Sequence, residues 1–320
     1  MTLVTARTKT LLTALMVCAL LGAFVMAAGA TPDVDAPPPP IPVPDEFTPA
    51  AAAPGVHVYH RHGDDGAFEY IQIVDLSAGA RLAFLHGPIA DPGAGRGIYG
   101  GNSPSIRRQF LSAIWNALPH GDSEAAEASV LCLTNGQFFL NTRRGAWVDP
   151  TELAFPVKSD GVILSEGYER WKFRAQKVML EIWPGGWATI SPFSGFALYR
   201  SAAPDIMVGL SERARVRSFE ELGRTYVGVA DGDQDGLGEI LLLYSATAAT
   251  QETAVDTLRT FGAREIMMLD GGGSTQLLCQ GQSFIFRARP LPQTIATIPA
   301  DPEPLPAPTV HPADIPHQIR

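Results

Sequence analysis

One stretch constrains this chain more than any other. An apolar run, Ile266 to Leu269, stops abruptly at Asp270-Gly271-Gly272-Gly273-Ser274-Thr275. The run reads as a buried strand. Three successive glycines weaken any strand or helix, because glycine loses the most backbone entropy on ordering. They fit where the backbone takes positive φ or lies against a ligand. Successive unshielded N–H groups can form a concave nest for an anion. A carboxylate at a strand end beside such a nest has the make-up of a site. The plainer reading is a tight turn between two strands, which needs one or two glycines but not three.

The surroundings of this stretch give the fold expectation. A strand over Glu239–Tyr244 leads to a helix near Gln251–Phe261, with apolar face Ala254, Val255, Leu258 and Phe261 and a stop at Gly262. The strand Glu265–Leu269 follows, then Thr275–Cys279. This β-α-β pattern places Asp270 at a strand's carboxyl end, where α/β sheets commonly bind ligands. Tyr70–Leu76 and Arg81–Leu85 read as a hairpin through Ser77–Ala80. Further strands are expected over Val130–Leu133, Gly161–Leu164, Lys177–Ile182 and Tyr226–Ala230. A helix capped by Ser103, with Pro104 in its first turn, would present Ile106, Phe110, Ile114 and Leu118 on one face. The expectation is an α+β fold: a single domain with a mixed β-sheet flanked by helices.

The ends set the boundaries. Arg7 and Lys9 precede an apolar stretch, Leu11 to Ala28, and Ala28-Gly29-Ala30 fits a cleavage site. Residues 1–30 therefore read as a signal peptide, with an uncleaved signal anchor, and so membrane anchorage, as the alternative. The expected location is secreted or cell-surface. Residues 31–54 are Pro- and Ala-rich and read as an extended linker; 299–320 read as a Pro-rich disordered tail. The folded part is expected over 55–298. The net charge of −9 argues against a nucleic-acid partner. Cys132 and Cys279 remain after the export segment. They could pair in an oxidising compartment, but two buried strand thiols is the preferred reading.

Other motifs are weaker. Asn135-Gly136-Gln137-Phe138-Phe139 follows a buried strand; Asn can bond sugar hydroxyls or a phosphate oxygen, or simply open a turn. Arg224 stands at a strand entrance, where its planar fork could grip phosphate. Asp231, Asp233 and Asp235, with Gly236, have calcium-loop spacing, but Leu242 stands where the closing Glu belongs. A hairpin turn is the better reading there; structural calcium is the alternative. Gly95-Arg96-Gly97-Ile98-Tyr99-Gly100 lacks a leading strand and is not a dinucleotide fingerprint. His57, His60 and His62 read as a solvated edge rather than a metal site. Ser274 lacks the context of a nucleophile elbow.

Four of these segments, in order, resemble the phosphodiester glycosidase family. Asn135-Gly136-Gln137-Phe138-Phe139 is similar to its N-G-G-F-F motif, with Gln137 in place of the second glycine. Gly161-Val162-Ile163-Leu164-Ser165-Glu166-Gly167 is similar to G-L-V-I-S-D-G, and Arg224-Thr225-Tyr226-Val227-Gly228 to R-T-A-I-G. Leu269-Asp270-Gly271-Gly272-Gly273-Ser274-Thr275 resembles L-D-G-G-G-S-S. The likeness covers about residues 70–298, and Asp91–Ala128 has no counterpart. It implies an exported hydrolase of sugar-1-phosphodiesters in glycans or surface polysaccharides, with a carbohydrate or sugar-phosphate substrate and no cofactor. Asp270, Arg224 and Asn135 would be catalytic; Gly136, Phe138, Gly271, Gly272, Gly273 and Ser274 would bind substrate. Arg224 and the Gly271–Gly273 amides would hold phosphate, Asn135 would orient the sugar, and Asp160 is a weak guess for a second carboxylate. A non-catalytic envelope polysaccharide-binding protein and a calcium-dependent surface module are the competing classes.

Overall fold

The computed structural model describes residues 38–63, 66–118, 130–140 and 149–301. The segments read as a signal peptide, over 1–30, and as a tail, beyond 301, lie outside the described residues. The larger of two main sheets runs β1 (Thr48–Ala53), β2 (Val56–His62), β3 (Phe68–Asp75), β14 (Ile240–Ala249), β13 (Leu222–Ala230), β15 (Glu265–Met268), β12 (Asp205–Ser211), β10 (Lys177–Trp183), β11 (Trp187–Pro192). β8 (Val157–Ser159) pairs with β12, and β9 (Val162–Ser165) with β8. The smaller sheet runs β17 (Gln282–Ile285), β16 (Leu277–Cys279), β7 (Cys132–Asn135), β18 (Gln293–Ile298), β4 (Arg81–His86). β5 (Ile89–Asp91) and β6 (Ser105–Ile106) form a third, two-stranded sheet.

The mixed, helix-flanked α+β expectation is overturned. The protein is mostly β, and every pairing in its three sheets is antiparallel. Among the described residues there are three short α-helices: α1 (Leu111–Ala117), α2 (Gly195–Arg200) and α3 (Gln251–Thr260). The strand-helix-strand order β14-α3-β15 is present, but β13 lies between the two strands and pairs antiparallel with both. Local patterning reports the elements; which strand fills the gap is a long-range fact that periodicity does not carry.

Alternation along the strands divides the apolar residues between two cores. Leu241 and Leu243 of β14, with Val58, Val227 and Met267, pack against Leu82, Phe84, Leu133 and Ile295 of the smaller sheet. Leu242 and Tyr244 face the other way, with Ile71, Tyr226 and Met268, under Leu198 of α2 and Leu258 of α3. Inside the inter-sheet core, buried Gln72 donates to Thr134 Oγ1 at 2.8 Å and accepts from Thr297 Oγ1 at 2.8 Å. One amide thus ties both sheets together through its nitrogen and its oxygen.

Three local expectations also change. β3 and β4 are not a hairpin: β3 belongs to the larger sheet and β4 to the smaller, and the turn carries the chain across. Asp75 Oδ1 shapes that turn by accepting from Ser77 Oγ at 2.6 Å and Ala78 N at 3.0 Å. The helix expected from Pro104 starts only at Leu111, because fully buried Ile106 exchanges backbone bonds of 2.7 and 2.8 Å with Thr151. β1 forms within the segment read as linker: its alanines pair with β2, and Ile41 and Phe47 before it are buried.

Cys132 and Cys279 lie opposite each other on β7 and β16, both fully buried, and they are disulfide-bonded. The free-thiol preference fails because antiparallel register brings together two residues 147 apart in sequence. Replacing both with Ala is expected to cost about 2–5 kcal/mol through the freed unfolded chain. A denaturant midpoint unchanged by the double substitution would show that the bond adds no stability.

Candidate active site

β15 delivers Asp270 to the rim of a cavity of about 210 Å³. Leu269 N donates to Thr225 O at 2.9 Å, continuing the β15–β13 pairing by one residue before the chain turns. Gly272 then takes φ +61°, a conformation that a side chain would strain, and a 3-10 turn covers Gly272–Ser274. Gly271 lies where a Cβ would meet Gly223 O at 2.7 Å. Two of the three glycines thus have a backbone reason, one a positive φ and one a close approach.

The two unusual sequence stretches meet here. Asn135, 1% exposed, donates from Nδ2 to Asp270 O at 2.7 Å, and Asp270 N donates to Gly136 O at 3.2 Å. Asn135 Oδ1 accepts from Thr225 Oγ1 at 2.8 Å and from Gln276 N at 3.1 Å. The Asn135-Gly136 pair therefore clamps the Asp270 peptide from both sides, and the Asn135 amide is engaged by the protein at both ends. Gln137 points away from the cavity. It is fully buried, donates to the Val208 carbonyl of β12, and accepts from Phe138 N at 2.9 Å. Phe138 lines the cavity and packs edge-on to Phe155 at 5.6 Å.

Asp270 is partly exposed, yet burial of its carboxyl pushes the pKa up to about 6. The Ser274 hydroxyl, the Arg289 charge and the Gly271 N–H pull the other way. Ser274 Oγ lies near the carboxyl but is buried and makes no hydrogen bond of normal geometry. Tyr168 is raised by its own burial and, in smaller part, by the carboxylates of Glu169, Asp270 and Glu152. Asp160 lines a different and mainly apolar cavity of about 540 Å³, with Phe84, Ile114, Leu118 and Val162. Among the described residues no Lys or Arg lines that larger cavity, and the smaller one is taken as the candidate site.

Arg224 lies at the cavity wall, as the sequence suggests, but its donors are committed elsewhere. Its guanidinium is 3% exposed and donates to Ala249 O (3.0 Å), Val216 O (3.3 Å), Arg217 O (2.7 Å) and Glu220 O (2.9 Å). Among the described residues lining the cavity, the cation without a hydrogen-bond or ion-pair partner is Arg289, which sequence reasoning missed. It borders the same cavity, and its Nη1 would lie 3.6 Å from a Cβ on Gly273. No motif surrounds Arg289, so only the fold could reveal it.

The remaining motifs resolve as structure. The Gly95–Gly100 loop wraps buried Glu166, whose Oε2 accepts from Tyr99 N at 2.8 Å and Gly101 N at 2.9 Å. Asp231, Asp233, Asp235 and Glu239 bring ligand atoms within 4.8 Å of one another in the β13–β14 turn. Each also accepts from amides of that loop, Gly236, Asp235, Leu237 and Gly232 among them. His60 and His62 share a face, His60 stacked on Tyr70 and His62 tilted against Phe68.

No family model matches the chain, and no curated protein matches it. Solved structures do. The catalytic domain of zebrafish N-acetylglucosamine-1-phosphodiester alpha-N-acetylglucosaminidase, auto-inhibited by its pro-peptide, aligns at TM-score 0.51 and 14% identity, over 78% of this chain and 85% of that one. A protein from Burkholderia pseudomallei K96243 described as exported aligns at 0.43 and 12%, over 73% and 74%. A hypothetical protein from Synechocystis aligns at 0.46 and 12%, over 82% and 64%. The likeness to the zebrafish domain is one of fold.

Proposed function

We propose that the chain is an exported hydrolase of glycosyl phosphodiesters, releasing a sugar and a phosphomonoester. The observation that carries this reading is Asp270: a carboxyl with its pKa near 6, clamped by Asn135 and Gly136, in a cavity that also holds Arg289 and the Gly271–Gly273 turn. A phosphomonoester leaves readily, so little general-acid help is needed. What is needed is negative charge beside the anomeric carbon and positive charge beside the phosphate. Ionised Asp270 supplies the first by stabilising the oxocarbenium-like transition state. Arg289, rather than Arg224, supplies the second. The fold shared with a phosphodiester glycosidase supports the class, and the buried disulfide supports export to an oxidising compartment. No helix among the described residues is long and apolar enough to cross a membrane.

The test is release of free sugar and phosphomonoester by the purified full-length chain from a panel of sugar-1-phosphodiesters. Turnover of at least one member is expected. Saturable binding of sugar phosphates with no release from any member would instead make this a polysaccharide-binding protein that uses the same pocket.

A further inference from the structure

We infer that Arg108 and Arg289, set against the single ring of Phe139, form a binding site for a phosphate dianion on the leaving-group side of Asp270. The inference rests on the hydrolase reading and deepens it. Arg289 Cζ lies 4.8 Å from the Phe139 centroid and Arg108 Cζ lies 5.7 Å from it. Arg over an aromatic face is attracted by the ring while its N–H groups remain able to donate to an anion. Arg108 is 8% exposed, and among the described residues only its Nε is engaged, donating to Asp149 O at 2.7 Å. The Arg289 guanidinium has no hydrogen-bond or ion-pair partner among the described residues; its own carbonyl accepts from Gln276 Nε2 at 2.9 Å.

Two cations over one ring repel each other, and here one of them, Arg108, is buried while Arg289 is half-buried. Arg289 indeed lowers the Arg108 pKa, second only to burial. Placing two cations together is costly, and the Asp149 carboxylate offsets only part of that cost at Arg108, where burial and Arg289 outweigh it. An anion between the forks removes that penalty. Arg289 also reaches the other way, acting on the Asp270 carboxyl and bordering Gly273. It therefore bridges the cavity and the Arg108 fork.

The reaction explains why two cations would be wanted. Water oxygen bonds to the anomeric carbon as the bond from that carbon to the phosphate oxygen breaks. The bonding pair stays on the phosphate oxygen, and the proton of the attacking water ends in solvent. The phosphate begins as a singly charged diester and ends as a monoester carrying about −1.5 to −2 at pH 7. A second arginine is worth most to the charge that appears as the bond breaks, so it favours the transition state over the bound diester.

The experiment is titration of the full-length protein with methyl phosphate and, separately, dimethyl phosphate at pH 7.5, read calorimetrically. Methyl phosphate is expected to bind at least about tenfold more tightly, and Arg289→Gln to remove about tenfold of that affinity. Arg108→Gln should do the same. Arg108→Lys, which keeps the charge but loses the fork, guards against loss of fold at this buried position and should lie between. Equal affinity for the two esters, or dianion affinity untouched by Arg289→Gln, overturns the site. Dianion binding without glycoside release leaves the site standing and sinks the hydrolase; release with unaltered affinity in the arginine variants does the reverse.

Discussion

Asp270→Asn is expected to lower kcat by about a thousandfold or more, while the protein keeps its fold and becomes more stable than wild type above pH 6. Activity and stability move in opposite directions because one property causes both. The fold holds a carboxyl where burial raises its pKa to about 6. Unfolded, it would titrate near 3.9. Below about pH 4 both states are protonated and burial costs nothing. Between about pH 4 and 6 the unfolded chain ionises first, so wild type loses stability as pH rises. Above 6 the folded carboxylate is charged and the full penalty, on the order of 3 kcal/mol, is present. Asn cannot ionise and escapes it. Comparing the two proteins from pH 4 to 8 cancels the other titrating groups.

The rate follows from the same ionisation. The ionised carboxylate is the working form, so kcat/KM should fall about tenfold per unit below pH 6 and level off above it. Asn135 and Gly136 hold the backbone of residue 270 rather than its side chain, so the substitution leaves the clamp in place. Retained turnover in Asp270→Asn, or a rate that falls as pH rises through 6, would remove Asp270 from the role given to it.

What the sequence revealed and what it hid divide along the range of the interactions. Asp270 and the glycines were legible because an apolar strand ending in a carboxylate and three glycines is a local anomaly. Asn135 was legible as unusual, but not as a clamp on Asp270, since those two residues are 135 apart in the chain. The antiparallel sheets were hidden because β13 enters between β14 and β15 from earlier in the chain. Arg289 and Arg108 carry no motif at all; only the ring of Phe139 unites them. The disulfide was one of two open readings until register placed the cysteines opposite each other.

Arg224 is where motif and geometry part most clearly, and there the expected loss is of stability. Its four carbonyl bonds tie the end of β14, at Ala249, to the Val216–Glu220 segment, and Val216 and Arg217 line the cavity. Burial already disfavours its charge, so the position is held at a cost that the carbonyls offset. Arg224→Met fills much of the volume but satisfies none of the four acceptors. The expected loss is about 3–5 kcal/mol, the scale for breaking a buried, charge-assisted set by removing one partner. Arg224→Lys keeps a charge but cannot reach four directions with one ammonium, so it should recover only part. A phosphate-binding arginine would behave otherwise: its Lys variant would keep the melting temperature and lose affinity for methyl phosphate. The decisive pair of measurements is therefore the thermal midpoint and the methyl phosphate affinity of Arg224→Lys. A fallen midpoint with affinity largely kept in the folded fraction assigns Arg224 to the wall of the site. An unchanged midpoint with lost affinity would return it to the phosphate and displace Arg289 from that task.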